Sequence, residues 1–147
     1  MEPLMAYLHY VAIIATAGFL VAEMAVCRPG LGAAQLAHLA RLDALYFASA
    51  LAALATGLLR LFFYAKGVDF YLPNPFFWAK MAVYVAIAII SIGATRRFLR
   101  WRKALAAGGP PPGPGEIEVA RRLVHVELGL LVLLPLFAVL MARGIGR

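Results

Sequence analysis

"NPFFWAKMAVYVAIAIISIGAT", residues 74–95, is an apolar stretch that contains one charged residue, Lys80. From position 76 onward it matches the ~20 residues that a helix needs to cross the hydrocarbon core of a bilayer. An ammonium group near the bilayer centre costs at least ~2.5 kcal/mol. The stretch therefore predicts a membrane-spanning helix in which Lys80 has a specific partner or role.

The composition of the whole chain points to the same class of protein. Of its 147 residues, 64% are hydrophobic and 14% are charged, whereas a soluble domain has ~45–50% apolar and ~25% charged residues. Three more apolar runs are long enough to span a bilayer, at about 4–26, 44–64 and 123–142. We expect a single all-α domain over 1–147, an integral membrane four-helix bundle with up-down topology. Its third helix, at about 76–95, is expected to continue in a cytoplasmic extension to about 105.

The basic residues predict the orientation. The first and third connections, with the helix ends beside them, carry Arg28, Arg41, Arg96, Arg97, Arg100, Arg102, Lys103, Arg121 and Arg122. The opposite side carries Arg60, Lys66, Arg143 and Arg147. Because cytoplasmic loops collect Lys and Arg, both termini are expected in the periplasm and the protein in a bacterial inner membrane. The net charge of +7 is explained by attraction to the anionic lipid bilayer, and we expect no nucleic-acid partner.

Three potentially cationic side chains from three helices fall at a similar depth beneath the predicted outer surface. They are His9, Arg60 and Lys80, and each lies about four or five residues inside its helix end, at ~1.5 Å of rise per residue. Such a layer predicts an anionic or electron-rich ligand. The alternatives are that Lys80 and Arg60 extend to the surface and that His9 only makes an interhelical hydrogen bond.

A second polar layer lies near the predicted cytoplasmic surface and consists of Glu23, Asp43, His125 and Glu127. The sequence assigns no function to these four residues. Ion pairs with neighbouring arginines are one interpretation of Glu23 and Asp43. His125 is expected to be hydrated, and His38 is expected on the surface.

Polar residues on two of the helices follow a stripe each, at ~100° per residue. The first helix carries His9, Thr16 and Glu23. The third carries Lys80, Tyr84 and Ser91. Because polar side chains inside a membrane avoid lipid, both stripes are expected to face the interior, and the two helices are expected to be neighbours. Tyr84 fits either core packing or a role in the site.

A histidine inside a small helical bundle favours b-type haem, because imidazole is a common axial ligand and bundles hold cofactors between facing helices. His9 is the expected metal ligand, since His125 lies ~20 Å away in depth. Lys80 would be either a second ligand, as neutral amine, or the partner of a propionate. Arg60 suits a propionate, because guanidinium binds carboxylates in a two-pronged fork. The absence of C-x-x-C-H excludes covalently attached haem.

Three stretches resemble bacterial four-helix membrane proteins of uncharacterised function: "YLHYVAIIATAGFLVAEM" at 7–24, "NPFFWAKMAVYVAIAII" at 74–90 and "RLVHVELGLLVLLPLFAVLMARGIG" at 122–146. The early histidine and the W-x-K motif of the third helix are also similar, more remotely, to short haem-dependent protoporphyrinogen oxidases of the HemJ type. That resemblance implies that His9 ligates haem and that Lys80 is its essential partner. Copper-resistance membrane domains related to CopD show a similar bundle.

The leading interpretation is a b-haem-binding inner-membrane oxidoreductase that acts on a porphyrin-like or quinol substrate. Lys80 and Tyr84 would be its catalytic residues, and a quinone or respiratory-chain component its electron acceptor. One alternative is a non-catalytic membrane protein, such as a transporter subunit or assembly factor. Another is a carrier of a lipophilic anion that binds at His9, Arg60 and Lys80. Assembly into a homo-oligomer is compatible with each of these.

Overall fold

The computed structural model describes residues 1–146, which contain five α-helices and no β-strand. The helices are α1 (Glu2–Val26), α2 (Ala33–Leu59), α3 (Val68–Tyr71), α4 (Pro75–Ala106) and α5 (Pro114–Ala142), and a π-helical segment (Arg60–Tyr64) continues α2. The short α3 lies in a connection. The other four helices are long and apolar enough to cross a membrane. The prediction of an all-α, four-helix membrane protein is confirmed.

The spanning helices are longer than the apolar runs alone indicate. Helix α2 begins at Ala33 instead of residue 44, and α5 begins at Pro114 instead of residue 123. The added turns of α2 bury Leu36 and Leu39, whose spacing of three places both on one helix face. Pro114 occupies the first turn of α5, where a missing N–H costs nothing. The apolar runs are shorter than the helices because charged and polar residues interrupt the hydropathy pattern without interrupting the helix.

The four spanning helices form two hairpins that pack side by side. Helix α1 packs on α2 and α5, and α4 also packs on α2 and α5. Helices α1 and α4 therefore lie diagonally across the bundle, and the prediction that they are neighbours is wrong. The physical reason is that short connections make consecutive helices antiparallel neighbours, so the first and third spans occupy opposite corners.

The up-down topology gives the bundle two different ends. We call the end with connections 27–32 and 107–113 the basic end, and the end with the termini and connection 65–74 the terminal end. Most arginines lie at the basic end, as the sequence indicates. Arg147, counted at the terminal end, lies outside the described residues.

Side chains fasten the chain at both ends. At the basic end, Arg121 Nη1 of α5 donates to the carbonyls of Met24 (3.1 Å) and Cys27 (2.6 Å), which are free because α1 ends there. At the terminal end, the buried Asn74 caps α4 by accepting from the Phe76 N–H at 2.9 Å. Its Nδ2 donates to the Ile145 carbonyl at 3.0 Å. The bonds from Arg121 and the bond from Asn74 to Ile145 join segments far apart in the chain.

Candidate functional site

Two cationic side chains and one imidazole lie close together inside the terminal end, and we call them the cationic cluster: His9 of α1, Arg60 of the π-helical segment and Lys80 of α4. All three are partly buried. His9 lies close enough to Lys80 and Arg60 for electrostatic interaction, and Lys80 interacts with Arg60 in the same way. The structure therefore brings together the three residues that the sequence placed in one layer, although α1 and α4 are not neighbours.

None of these three side chains has an acidic partner within residues 1–146. The salt bridges within residues 1–146 join Arg100 to Glu116 and Arg122 to Glu118, on the exposed surface of the basic end. The guanidinium carbon of Arg60 lies 5.8 Å from the centroid of the Tyr10 ring, and its buried Nε has no hydrogen-bond acceptor in the described chain. The cluster thus holds positive charge that the described chain does not neutralise.

The imidazole of His9 is oriented by α2. Its Nδ1 lies 3.0 Å from Thr56 Oγ1, and the Thr56 hydroxyl donates its single hydrogen to the Ala52 carbonyl at 2.7 Å. With that hydrogen committed, Thr56 would accept from His9, which favours a proton on Nδ1 and a lone pair on Nε2. The Ala53 carbonyl is a further hydrogen-bond partner of the His9 ring. Gly57 provides the space for this contact, because a Cβ there would lie 3.0 Å from His9 Cε1. The interhelical hydrogen bond considered as an alternative for His9 exists.

Lys80 forms no hydrogen bond or salt bridge with any residue from 1 to 146. Tyr84, one turn further along α4, donates its hydroxyl to the Ala50 carbonyl of α2 at 2.8 Å. This bond ties α4 to α2 beside the cationic cluster. The amine of Lys80, like Arg60 Nε, has no hydrogen-bond partner in the described chain.

A second cluster lies in the opposite half of the bundle and consists of carboxyl groups. Glu23, Asp43 and Glu127 come from α1, α2 and α5, are at most 5% exposed, and interact electrostatically with one another. We call them the acidic cluster. Asp43 Oδ1 accepts from Thr95 Oγ1 at 3.0 Å. Glu23 Oε1 has no hydrogen-bond partner in residues 1–146, and the oxygens of Glu127 have none within 3.5 Å, although the Tyr46 side chain interacts with Glu127 at longer range.

The interpretation that arginines neutralise these carboxyls is wrong. Arg121 donates to backbone carbonyls at the end of α1, and Arg97 donates to the Gly93 carbonyl at 3.0 Å. Arg28 and Arg41 are exposed. The helix-end carbonyls compete successfully for Arg121, because they lie at the basic end while the carboxyls lie deeper in the bundle.

Hydroxyl groups occupy the bundle between the two clusters. The hydroxyls of Thr16 and Ser49 lie 3.0 Å apart, and Ser91 is buried on α4. His9 and Glu23 are separated by ~21 Å along α1, taking 1.5 Å per residue. Thr16, Glu23 and Ser91 are all buried, so the polar stripes face the interior as expected.

Two residues that interact with these clusters are not indicated by the charge and hydropathy pattern of the sequence. Thr56 orients His9, and Tyr46 is buried against Glu127 and Glu23. Each stands three or four positions from a residue already singled out, Thr56 before Arg60 and Tyr46 after Asp43. Residues at that spacing share a helix face, which is the signal that would have found them.

The remaining sulfur and imidazole groups take no part in either cluster. His38 and His125 are exposed, as expected for both. Burial raises the pKa of the Cys27 thiol to about 11, although the nearby Arg121 opposes the shift, so this cysteine stays protonated and unreactive near neutral pH. Within residues 1–146, no three His, Cys, Asp or Glu side chains are arranged to hold a metal ion.

Four apolar helices with polar groups at two depths extend over nearly the whole chain. One protein family matches the same extent, residues 1–146. The chain belongs to the DUF2214 family of predicted membrane proteins. No curated protein and no solved structure matches the chain. The likeness of this DUF2214 protein to HemJ-type oxidases and CopD-related domains thus remains a resemblance of a few residues.

Proposed function

We propose that the cationic cluster binds an anionic, lipid-soluble ligand within the membrane, and that this ligand is b-type haem. The observation that carries the proposal is the convergence of His9, Arg60 and Lys80 without an acidic partner in the described chain. Unpaired charges in an apolar medium are costly, so the cluster favours a guest that brings negative charge. A haem brings two propionates and an iron that accepts an imidazole.

The donor set fits this group. The bond to Thr56 leaves Nε2 of His9 unprotonated, and a histidine that ligates a metal typically donates its other ring N–H to a fixed acceptor in this way. Arg60 has a buried Nε without a partner, and Lys80 has a free amine. Both would neutralise propionates, or Lys80 would bind the iron as neutral amine.

The bound haem would supply one-electron chemistry. His9 would hold the iron, while Arg60 and Lys80 would fix the orientation of the ring by charge. Tyr84, held by the Ala50 carbonyl, would form part of the wall beside Lys80. We propose that the protein acts as an oxidoreductase in a bacterial inner membrane, with a quinol or porphyrin-like molecule as substrate and a quinone as electron acceptor.

A visible absorption spectrum of the purified protein tests haem binding directly. The full chain is produced in cells with ample haem and purified in detergent, and its spectrum is recorded oxidised and reduced. We expect a Soret band and reducible α and β bands, with haem approaching one per chain. A colourless protein would overturn the haem proposal.

Substitutions in the cluster locate the site. Lys80→Arg is expected to abolish or shift the spectrum while the protein still folds, because guanidinium stays protonated and has a wider, planar head. His9→Ala is expected to remove at least as much bound haem. His38→Ala, at an exposed position, is the matched control and is expected to leave the spectrum unchanged. A wild-type spectrum in both cluster variants would place the haem elsewhere.

A second candidate function is the binding and carriage of a lipophilic anion without redox chemistry. It is favoured by the same unneutralised charge, and it does not require His9 as an iron ligand. In this case the purified protein is colourless, and a fluorescent lipophilic carboxylate binds to the wild type with an affinity that falls at least tenfold in Lys80→Ala. Equal binding to both proteins would exclude this function.

A further inference from the structure

The distribution of acidic residues in this chain is uneven. Seven Asp and Glu residues are present, and four of them are exposed: Glu2, Asp69, Glu116 and Glu118. The other three form the acidic cluster inside the bundle. Glu23 and Glu127 are each only 1% exposed, and Asp43 is 5% exposed. A charge in a membrane-spanning segment is rare and marks ion or proton pathways in membrane proteins.

Every helix packed around the cluster contributes a polar group, but none contributes a cation. Helix α1 provides Glu23, with Cys27 one turn beyond it, and α2 provides Asp43 and Tyr46. Helix α4 provides Thr95 and Ser91, and α5 provides Glu127. Arg121 is bonded to the Met24 and Cys27 carbonyls instead of to a carboxyl. Within residues 1–146, Thr95 donates a hydrogen bond to Asp43, and the Tyr46 side chain interacts with Glu127.

Three such carboxyls cannot all carry charge. Like charges that share a site of low dielectric oppose each other's ionisation, and no cation in the described chain offsets this cost. Protonation of carboxyls, or a bound metal ion, would remove most of this cost. The arrangement of the described side chains does not provide a metal site. A protonated carboxyl is neutral, so burying it with an unpaired oxygen costs less than burying an unpaired carboxylate.

We propose that Glu23, Asp43 and Glu127 form a proton-binding site inside the membrane, which holds at least two protons at neutral pH and exchanges them with water. No covalent bond other than the O–H bonds of these carboxyls forms or breaks. An open cavity of about 460 Å³ lies at the basic end and is lined by Arg121, His125 and Pro29. Arg121 also donates to the carbonyls of Met24 and Cys27, within about one turn of Glu23, so this cavity is the side from which we expect water to exchange the protons.

Infrared spectroscopy of the full chain in detergent tests this proposal without any bound cofactor. A protonated carboxyl has a C=O stretching band distinct from that of a carboxylate, and the band shifts when the proton is replaced by deuterium. Exposed carboxyls are ionised at pH 7 and contribute no such band. We expect a band equivalent to two or three carboxyls per chain at pH 7 and a shift of that band after transfer to D₂O.

Amide variants assign the band to the cluster. Glu23→Gln, Asp43→Asn and Glu127→Gln keep the shape of a neutral acid, and at least one of them is expected to lose a third to a half of the band area. Glu118→Gln lies on the same helix as Glu127, is exposed, and is expected to lose none. The area of the wild-type band gives the number of protonated carboxyls, so the proposal can be tested even if a variant does not fold.

Three results would overturn the proposal. The first is a wild-type band smaller than that of two carboxyls at pH 7. The second is a band that does not shift in D₂O, which would mean that the site is sealed from water. The third is a band that keeps its full area in all three amide variants. None of these results depends on whether haem binds at the cationic cluster.

Discussion

Hydroxyl groups, and not opposite charges, hold the polar side chains inside this bundle. Thr56 bonds His9, Thr95 bonds Asp43, and Tyr84 bonds the backbone of α2. A hydroxyl fixes the position of a charged group but does not neutralise it. This lack of opposite charge is the basis of our two proposals, an anionic ligand at the cationic cluster and bound protons at the acidic cluster.

The bond from Thr56 can be removed with little change in shape. In Thr56→Val the Nδ1–H of His9 loses its acceptor, and we expect haem affinity to fall by ~10–100-fold, the usual effect of losing such a supporting partner. The ¹⁵N chemical shifts of His9 are expected to change from one tautomer to a mixture. Thr95→Val, which removes a hydroxyl from the other cluster, is the control and should change neither measurement.

At the scale of helices, the bundle is fastened by bonds from side chains to free helix ends. Arg121 ties α5 to the last carbonyls of α1, and Asn74 ties the start of α4 to the backbone near the end of the chain. These bonds lie outside the apolar middle of the spans, where packing alone is weakly specific because lipid competes for apolar side chains. They therefore help to fix which helices are neighbours.

The contribution of the Arg121 hydrogen bonds to stability can be measured with the adjacent Arg122 as a control. Arg121→Ala is expected to destabilise the protein by ~1.5–3 kcal/mol, the range for hydrogen bonds to a charged group, as measured by thermal unfolding in detergent. Arg122→Ala removes only a surface ion pair with Glu118 at 3.6 Å and should cost less than ~1 kcal/mol. Equal losses in the two variants would show that the bonds to α1 contribute nothing.

At the scale of the whole molecule, the sequence predicts the spans but not their arrangement around the bundle. Apolar length identifies four spans because nothing shorter crosses the hydrocarbon. A polar stripe shows which face of a helix points inward, but helices at adjacent and at opposite corners both point inward. The stripes on α1 and α4 therefore do not show whether these helices are neighbours or lie at opposite corners. The hydropathy pattern also does not indicate Thr56 and Tyr46, because a neutral hydroxyl changes hydropathy little.

The orientation in the membrane is a prediction that reporter fusions can check. The basic end carries most of the Arg and Lys residues, so it is expected on the cytoplasmic side with both termini outside. Alkaline phosphatase fused to the C-terminus should be active, whereas a fluorescent protein that folds only in the cytoplasm should be dark there. The reverse pattern would invert the bundle and place the acidic cluster near the outer surface.

The junction between the two hairpins passes through both clusters. The α1–α2 hairpin supplies His9 and Glu23, and the α4–α5 hairpin supplies Lys80 and Glu127. A rigid shift of one hairpin against the other would therefore change the spacing of charges at both ends at once. If a ligand at one end shifts the hairpins, it is expected to alter affinity at the other end, and thermodynamic reciprocity then requires the same coupling in both directions.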